Sequence, residues 1–191
     1  MKMKSLSSLI VAGLLVTPIT TASTFASTNT NAKTNTEQET ESSNTIALKD
    51  IKTTPEKAIE IAQNEYKGDV KEVAFEKEHG GWSYKIAQVH NTNESEVTIK
   101  DKDQKVTNKE KESDEGDQSD KTFNYKQDVK PYTQALQKGV DEVNGGSLKE
   151  WSIKKDHGKL VYDMDILYKG DNHEVSVDAK SLKILKNEID N

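Results

Sequence analysis

Two histidines stand in the same short pattern at two places, in EKEHGGWSYKI (residues 76–86) and KKDHGKLVYDM (residues 154–164). Imidazole binds metals and exchanges protons near neutral pH. A metal ligand needs two or three partners nearby, but consecutive residues of a strand face opposite sides. Glycine suits the positive φ of a hairpin turn. The pattern therefore predicts hairpin turns at His79-Gly80 and His157-Gly158, with a metal or pH-sensing site as the alternative.

Acidic side chains offer a second kind of chemistry, because carboxylate oxygens are the usual ligands of calcium. The closest groups are Asp101 with Asp103, and Asp163, Asp165, Asp171 and Glu174. None of them continues into the calcium-loop pattern of acids at alternate positions followed by glycine. We expect solvated acidic faces and no metal ligand set, with weak calcium binding as the alternative.

Motifs for covalent or cofactor chemistry are missing from the sequence. It has no cysteine, no Gly-x-Ser-x-Gly, no zinc-protease helix motif and no phosphate-binding glycine loop. A carboxylate pair could in principle hydrolyse a glycoside, but with 33 acids any chosen pair is arbitrary. The sequence predicts no enzyme, no catalytic residue and no cofactor.

The two tryptophans, Trp82 and Trp151, fall on positions of predicted strands that face inward. Core packing is the expected role of such large side chains. If either proves exposed, it becomes the best candidate for contact with a protein partner.

The N-terminus has the features of an export signal. Lys2 and Lys4 precede the apolar run LIVAGLLV (residues 9–16), and small residues follow up to Ala26. The run is much shorter than the ~20 residues that span a bilayer. We predict a signal peptide over residues 1–26, cleaved between Ala26 and Ser27, with cleavage after Ala22 as the alternative. The mature chain is then secreted or associated with the cell envelope without a transmembrane segment.

Composition predicts small folded units joined by disordered segments, since 32% of residues are hydrophobic and 31% are charged. We predict a polar spacer over residues 27–45, a first domain over 46–107, a charged linker over 108–122 and a second domain over 123–191. The net charge is −6, and all 27 basic residues are lysines. An acidic chain without arginine is a poor partner for nucleic acid or for an anionic membrane.

The two folded segments are copies of one unit. Residues 71–110 align with residues 149–188 without a gap, so that each residue matches the one 78 positions later. Matching pairs include His79 with His157, Tyr84 with Tyr162, and Val97 with Val175. Nearer the N-terminus, a shift of one residue matches Ala58 with Ala135.

Each copy predicts a helix followed by strands. In the first copy, Thr54 can cap a helix that Pro55 begins, and Ala58, Ile59 and Ala62 form its apolar stripe. Apolar residues then alternate with period two, as in half-buried strands. We predict an α+β fold of two tandem units, each with one helix packed on a three- or four-stranded antiparallel sheet.

The helix start TPEKA (residues 54–58) and the close EVSVDAKSLKIL (residues 174–185) resemble the PepSY domain family. The chain departs from the family pattern at Ser181-Leu182, where Thr-Gly is usual. The resemblance implies the same helix-on-sheet fold and no catalytic residues. Family members occur in the propeptides of secreted thermolysin-like metalloproteases and in bacterial envelope and sporulation proteins, and a role in restraining peptidases was proposed for them.

On this basis we expect a non-enzymatic protein that binds a protein partner and inhibits or regulates an extracellular or envelope peptidase. The alternative is a structural envelope module that binds cell-wall polymer or calcium. The sequence predicts neither the identity of the partner nor the oligomeric state.

Overall fold

The computed structural model describes residues 44–113 and 119–190. The predicted signal peptide and its cleavage site at Ala26-Ser27 lie outside these residues, as does nearly all of the predicted spacer. None of the described helices is long and apolar enough to cross a membrane.

Each copy places one long helix before four strands. The helices are α1 (Pro55–Glu65), the short α2 (Tyr125–Asp128) and α3 (Tyr132–Glu142). The strands are β1 (Asp69–Glu78), β2 (Gly81–His90), β3 (Asn93–Lys100), β4 (Val106–Ser113), β5 (Ser147–Asp156), β6 (Lys159–Tyr168), β7 (Asp171–Asp178) and β8 (Ile184–Asp190).

The eight strands form one antiparallel sheet in the order β4-β3-β2-β1-β5-β6-β7-β8. The predicted α+β class with an antiparallel sheet is therefore confirmed. The two copies do not carry separate sheets, however, because β1 of the first pairs with β5 of the second. The described residues of both copies accordingly belong to one compact unit.

The start of α1 follows from its sequence. The Thr54 side chain accepts a hydrogen bond from the Lys57 backbone N–H at 3.3 Å, and Pro55 occupies the first helical position. This satisfies a backbone donor that the first turn would otherwise leave free. The stripe of Ala58, Ile59 and Ala62 is buried, as predicted.

Both long helices lie on the same face of the sheet. Helix α1 contacts β1, β2 and β3, and α3 contacts β6, β7 and β8. The face beneath them carries the buried apolar residues of the strands, which are Val73, Phe75, Tyr84, Ile86, Val97, Ile99, Trp151, Ile153, Tyr162, Met164, Ile166, Val175 and Val177. No described helix covers the opposite face, which we call the open face.

The junction between the copies extends beyond β1 and β5. Ile46, before α1, forms backbone hydrogen bonds in both directions with Leu148 of β5, at 2.8 and 2.9 Å. Phe123, before α2, donates its N–H to the Val70 carbonyl of β1 at 2.9 Å. In each copy, a residue on the N-terminal side of the helices therefore bonds to the first strand of the other copy: Ile46 to β5, and Phe123 to β1.

The described parts of the predicted linker, residues 108–122, include regular secondary structure. Strand β4 runs through Asn108 to Ser113, and Ser119–Lys121 forms a 3₁₀ turn. The polar residues of β4 are not typical of a strand, but their backbone completes a hydrogen-bonded ladder with β3. The alternation of apolar residues cannot reveal a strand whose side chains are mostly exposed.

Candidate functional site

The repeated histidines lie at two equivalent hairpin turns. His79 and Gly80 connect β1 to β2, and His157 and Gly158 connect β5 to β6. The φ angles are +102° at Gly80, +78° at Gly158 and +46° at His157. Although His157 Nδ1 lies 2.8 Å from Asp156, the histidine side chain is 89% exposed. Within the described residues, no group of three or more His, Asp or Glu side chains could hold a metal ion.

The tryptophans belong to an aromatic cluster under the helices. Trp151 is 1% exposed, and its ring lies 5.9–6.1 Å from the rings of Phe75, Tyr84, Tyr132 and Tyr162. Trp82 is partly buried and stacks on Phe75 with ring centres 5.4 Å apart. Trp151 therefore offers no surface to a partner, and Trp82 offers only part of its ring.

Strands β4 and β8 form the two edges of the sheet. Strand β8 carries Leu185 and Ile189, which are 48% and 49% exposed and are the exposed large hydrophobic residues of the described chain. The equivalent residues of β4, 78 positions earlier, are Thr107 and Lys111. Polar and charged side chains on an edge discourage pairing with another chain, whereas apolar ones favour it. The two edges therefore differ in the property that controls strand addition.

A β-bulge places Leu185 outside the regular ladder. Ile184 pairs with Val177 and Lys186 pairs with Ser176, so Leu185 has no partner residue on β7. Such a bulge locally bends and twists the strand. Ile189 lies further along β8, opposite His173.

On the open face, five carboxylates lie in one row across five adjacent strands. Successive pairs in the ladder are Glu76 with Glu150, Glu150 with Asp165, Asp165 with Glu174, and Glu174 with Glu188. Neighbouring strands are ~4.8 Å apart, so the row spans about 19 Å. We call these five residues the acidic row. Like charges directly opposite each other in a sheet destabilise it unless cations are near.

Lysines compensate only the ends of the acidic row. Lys85 forms ion pairs with Glu76 and Glu78, and Lys186 forms ion pairs with Glu174 and Glu188. No described lysine forms an ion pair with Glu150 or Asp165 at the centre. Burial, together with neighbouring carboxylates, raises the pKa of both central side chains.

Sequence reasoning found only part of this row. It named Asp165 and Glu174. It also named Asp163, which lies two residues before Asp165 on β6 and accepts a hydrogen bond from the Ser176 hydroxyl at 2.5 Å. It missed Glu76, Glu150 and Glu188, because these come from three different strands. Asp101, named as part of another pair, is buried and accepts backbone N–H bonds from Lys52 and Thr53.

Comparison with solved structures supports the fold. The chain is similar to a crystal structure from Clostridium difficile 630 provisionally described as a lipoprotein, with a TM-score of 0.69 and 24% identity. The likeness covers 77% of this chain and 99% of that one. A comparison with curated proteins gave no match.

The family model described as peptidase propeptide and YPEB domain, or PepSY, matches residues 52–100 and 130–188. The first match covers α1 and β1 to β3, and the second covers α3, β5 to β7 and most of β8. Together the two matches account for more than half of the sequence. The protein therefore belongs to the PepSY family and carries two PepSY domains in tandem.

Proposed function

We propose that this chain is an exported, non-enzymatic protein that binds an extracellular or envelope peptidase and restrains it. The binding element is the outer edge of β8, to which the partner adds an extended strand. The observation that carries this proposal is the pair of exposed apolar side chains, Leu185 and Ile189, on an edge strand.

Strand addition supplies affinity through the backbone and selectivity through alternate side chains. An edge strand presents a row of N–H and C=O groups to a partner. Burying the exposed parts of two large aliphatic side chains adds a hydrophobic contribution to binding. The same mode of association already joins the two copies within this chain, through β1 and β5.

The peptidase as partner rests on the family, whose description names peptidase propeptides. A propeptide module acts by binding its peptidase, and such binding needs no catalytic residues. Export rests on the N-terminal sequence, in which Lys2 and Lys4 precede a short apolar run and small residues lead to Ala26.

The test measures secreted peptidase activity while the mature chain, residues 27–191, is added in increasing amounts. We expect a saturable loss of activity and recovery of a peptidase on the immobilised chain. The decisive variant combines Leu185→Thr with Ile189→Lys. These substitutions give β8 the residues that β4 has at the equivalent positions, Thr107 and Lys111. The matched control is Thr107→Ala with Lys111→Ala on the other edge.

Loss of binding in the β8 variant, with normal binding by the β4 control, supports the edge of β8 as the site. Equal binding by both variants contradicts that site. If no peptidase is retained or inhibited, and the chain instead sediments with purified cell wall or melts at a higher temperature with calcium, the structural envelope module replaces this proposal.

A further inference from the structure

The centre of the acidic row lacks the ion pairs that its ends possess, although Lys149 is near enough to lower the pKa of both central carboxylates in part. Glu150 and Asp165 are directly opposite on β5 and β6, and each has another acid on its far side, namely Glu76 and Glu174. The two lysines of the row pair with its outer members. The arrangement therefore leaves two adjacent carboxylates whose negative charge no described lysine neutralises by an ion pair.

In the first copy, the equivalent positions on the open face carry an acid that is paired with a lysine. The residue equivalent to Glu150 is Glu72, and the residue equivalent to Asp165 is Ala87. Glu72 lies opposite Lys154 and forms an ion pair with it at 3.5 Å. The same place on the open face thus has one acid with a lysine in the first copy, and two acids without one in the second.

A second, independent feature lies beside these carboxylates. Ser152 is 7% exposed, and its hydroxyl has no hydrogen-bond partner. It lies on the open face opposite Asp163, two residues along β5 from Glu150. Buried polar groups are nearly always hydrogen-bonded in native proteins, so this hydroxyl is available to pair with a polar group of a ligand.

An oxygen on the other side of the pair is also unpaired. The Asn172 side chain hydrogen-bonds Asp165, and its Oδ1 atom is buried without a partner. Asn172 pairs with Leu167, which lies two residues along β6 from Asp165. Two carboxylates are thus bordered on one side by a hydroxyl and on the other by an amide oxygen, all of which can accept hydrogen bonds.

We propose that Glu150 and Asp165 form the centre of a docking site for an arginine side chain carried by an extended, basic segment of a partner protein. Guanidinium is planar, always charged and has five donors, which suits several acceptors spread over adjacent strands. The remaining carboxylates of the row lie within reach of further basic residues of the same segment. Without the bound segment, Lys85 pairs with Glu76, and Lys186 pairs with Glu174 and Glu188.

Other occupants fit less well. In the described residues, no three acids are close enough together to hold one metal ion. A second copy of the chain has no arginine to offer, and its own open face carries the same negative charge. The site lies on the open face rather than on the outer edge of β8, so it does not depend on the proposed function.

The test uses the mature chain and a fluorescently labelled peptide in which arginine alternates with serine, followed by anisotropy at low salt. The decisive variant is Glu150→Gln with Asp165→Asn, which keeps side-chain size and removes two charges. The matched control is Glu96→Gln with Glu110→Gln, a cross-strand pair on the open face of the first copy that removes the same charge. Ser152→Ala removes one oxygen without changing the charge.

We expect the central variant to weaken binding about tenfold or more, and the control to weaken it by less than about threefold. We also expect Ser152→Ala to weaken binding measurably, because general charge attraction would not respond to it. The central variant removes repulsion between carboxylates, so it should remain folded, which far-UV circular dichroism verifies.

Three results would overturn the proposal. One is no binding of the peptide to the wild-type chain, and another is equal loss in the central and control variants, which indicates non-specific attraction. The third is displacement of the peptide by calcium at equimolar concentration together with tight calcium binding by the chain alone, which would assign the row to a metal ion.

Discussion

Ala74 of β1 lies directly opposite Ser152 of β5, and these two residues occupy the same position in the two copies. The pairs on either side, Val73 with Ile153 and Phe75 with Trp151, exchange places under the same equivalence. A contact in which residue i meets j and the equivalent of j meets the equivalent of i is the pattern of a two-fold dimer interface. The tandem copies therefore associate as the two halves of a symmetric dimer would.

The first prediction concerns cooperativity. Since one sheet, the reciprocal Ile46 and Phe123 bridges and one aromatic cluster join the copies, we expect a single unfolding transition for both. Urea unfolding followed by tryptophan fluorescence and by far-UV circular dichroism should give coincident curves. Hydrogen exchange of β2 and β6 amides should give equal opening free energies. Two separated transitions would show that the copies are independent domains.

The second prediction concerns the aromatic cluster. Trp151→Ala removes a fully buried ring that contacts aromatic residues of both copies, and we expect it to lower the free energy of unfolding by about 3–5 kcal/mol. Trp82→Ala is the control, because its ring is only partly buried and should cost clearly less. Urea titration measures both. Equal losses of unfolding free energy in the two variants would contradict a greater contribution of Trp151 to stability.

The third prediction concerns the approach of α3 to the sheet. A Cβ atom added at Gly139 would lie 2.2 Å from Met164 Sδ. We expect Gly139→Ala to destabilise the protein, because Met164 is flexible but only 2% exposed and has little room to move aside. Overpacking of this kind costs about 1–3 kcal/mol, against a gain in helix propensity of roughly 1 kcal/mol.

The first copy suggests the rescue for that substitution. Ala62 and Ile86 occupy the positions equivalent to Gly139 and Met164. Gly139→Ala combined with Met164→Ile should therefore recover most of the lost stability, as measured by thermal unfolding. A double variant no more stable than Gly139→Ala would show that the helix position, and not Met164, causes the loss.

The fourth prediction concerns pH. Burial raises the pKa of Glu96, Glu150 and Asp165 above the ordinary values of 4.5 for Glu and 3.8 for Asp, and acidic neighbours add to the effect. A raised pKa in the folded state means that folding favours the protonated form. The stabilisation is complete below the ordinary values and is lost as pH rises through the raised ones. From these groups we expect stability to decrease as pH rises above their ordinary pKa values.

Urea midpoints over a series of pH values test this dependence. Glu150→Gln with Asp165→Asn should flatten the curve and raise stability at neutral pH, since it removes two charges that the folded state disfavours. Glu112→Gln, on the exposed part of β4, is the control and should leave the curve nearly unchanged. An unchanged curve in the central variant would contradict the role given to the acidic row.

Features that depend on neighbours in the chain could be read from the sequence. The start of α1 depends on Thr54 and Pro55, which lie beside each other, and the helix begins there. The alternation of Trp82, Tyr84 and Ile86 indicates which side of β2 faces the helices, because strand side chains alternate with a period of two. The duplication is visible because equivalent positions in two similar folds require similar residues.

The features that bear on function depend on which strands become neighbours, and this was decided by the tertiary structure alone. Periodicity identifies the apolar face of β1 and of β5 but does not say that their edges meet, because the edge of every strand offers the same backbone donors and acceptors. The acidic row and the exposed Leu185 and Ile189 exist only once that order is set. Sequence by itself determined the family, the repeated helix and strands, and the buried face of the strands. Tertiary packing determined the single sheet, its two unlike edges, and the charges that lie together on its open face.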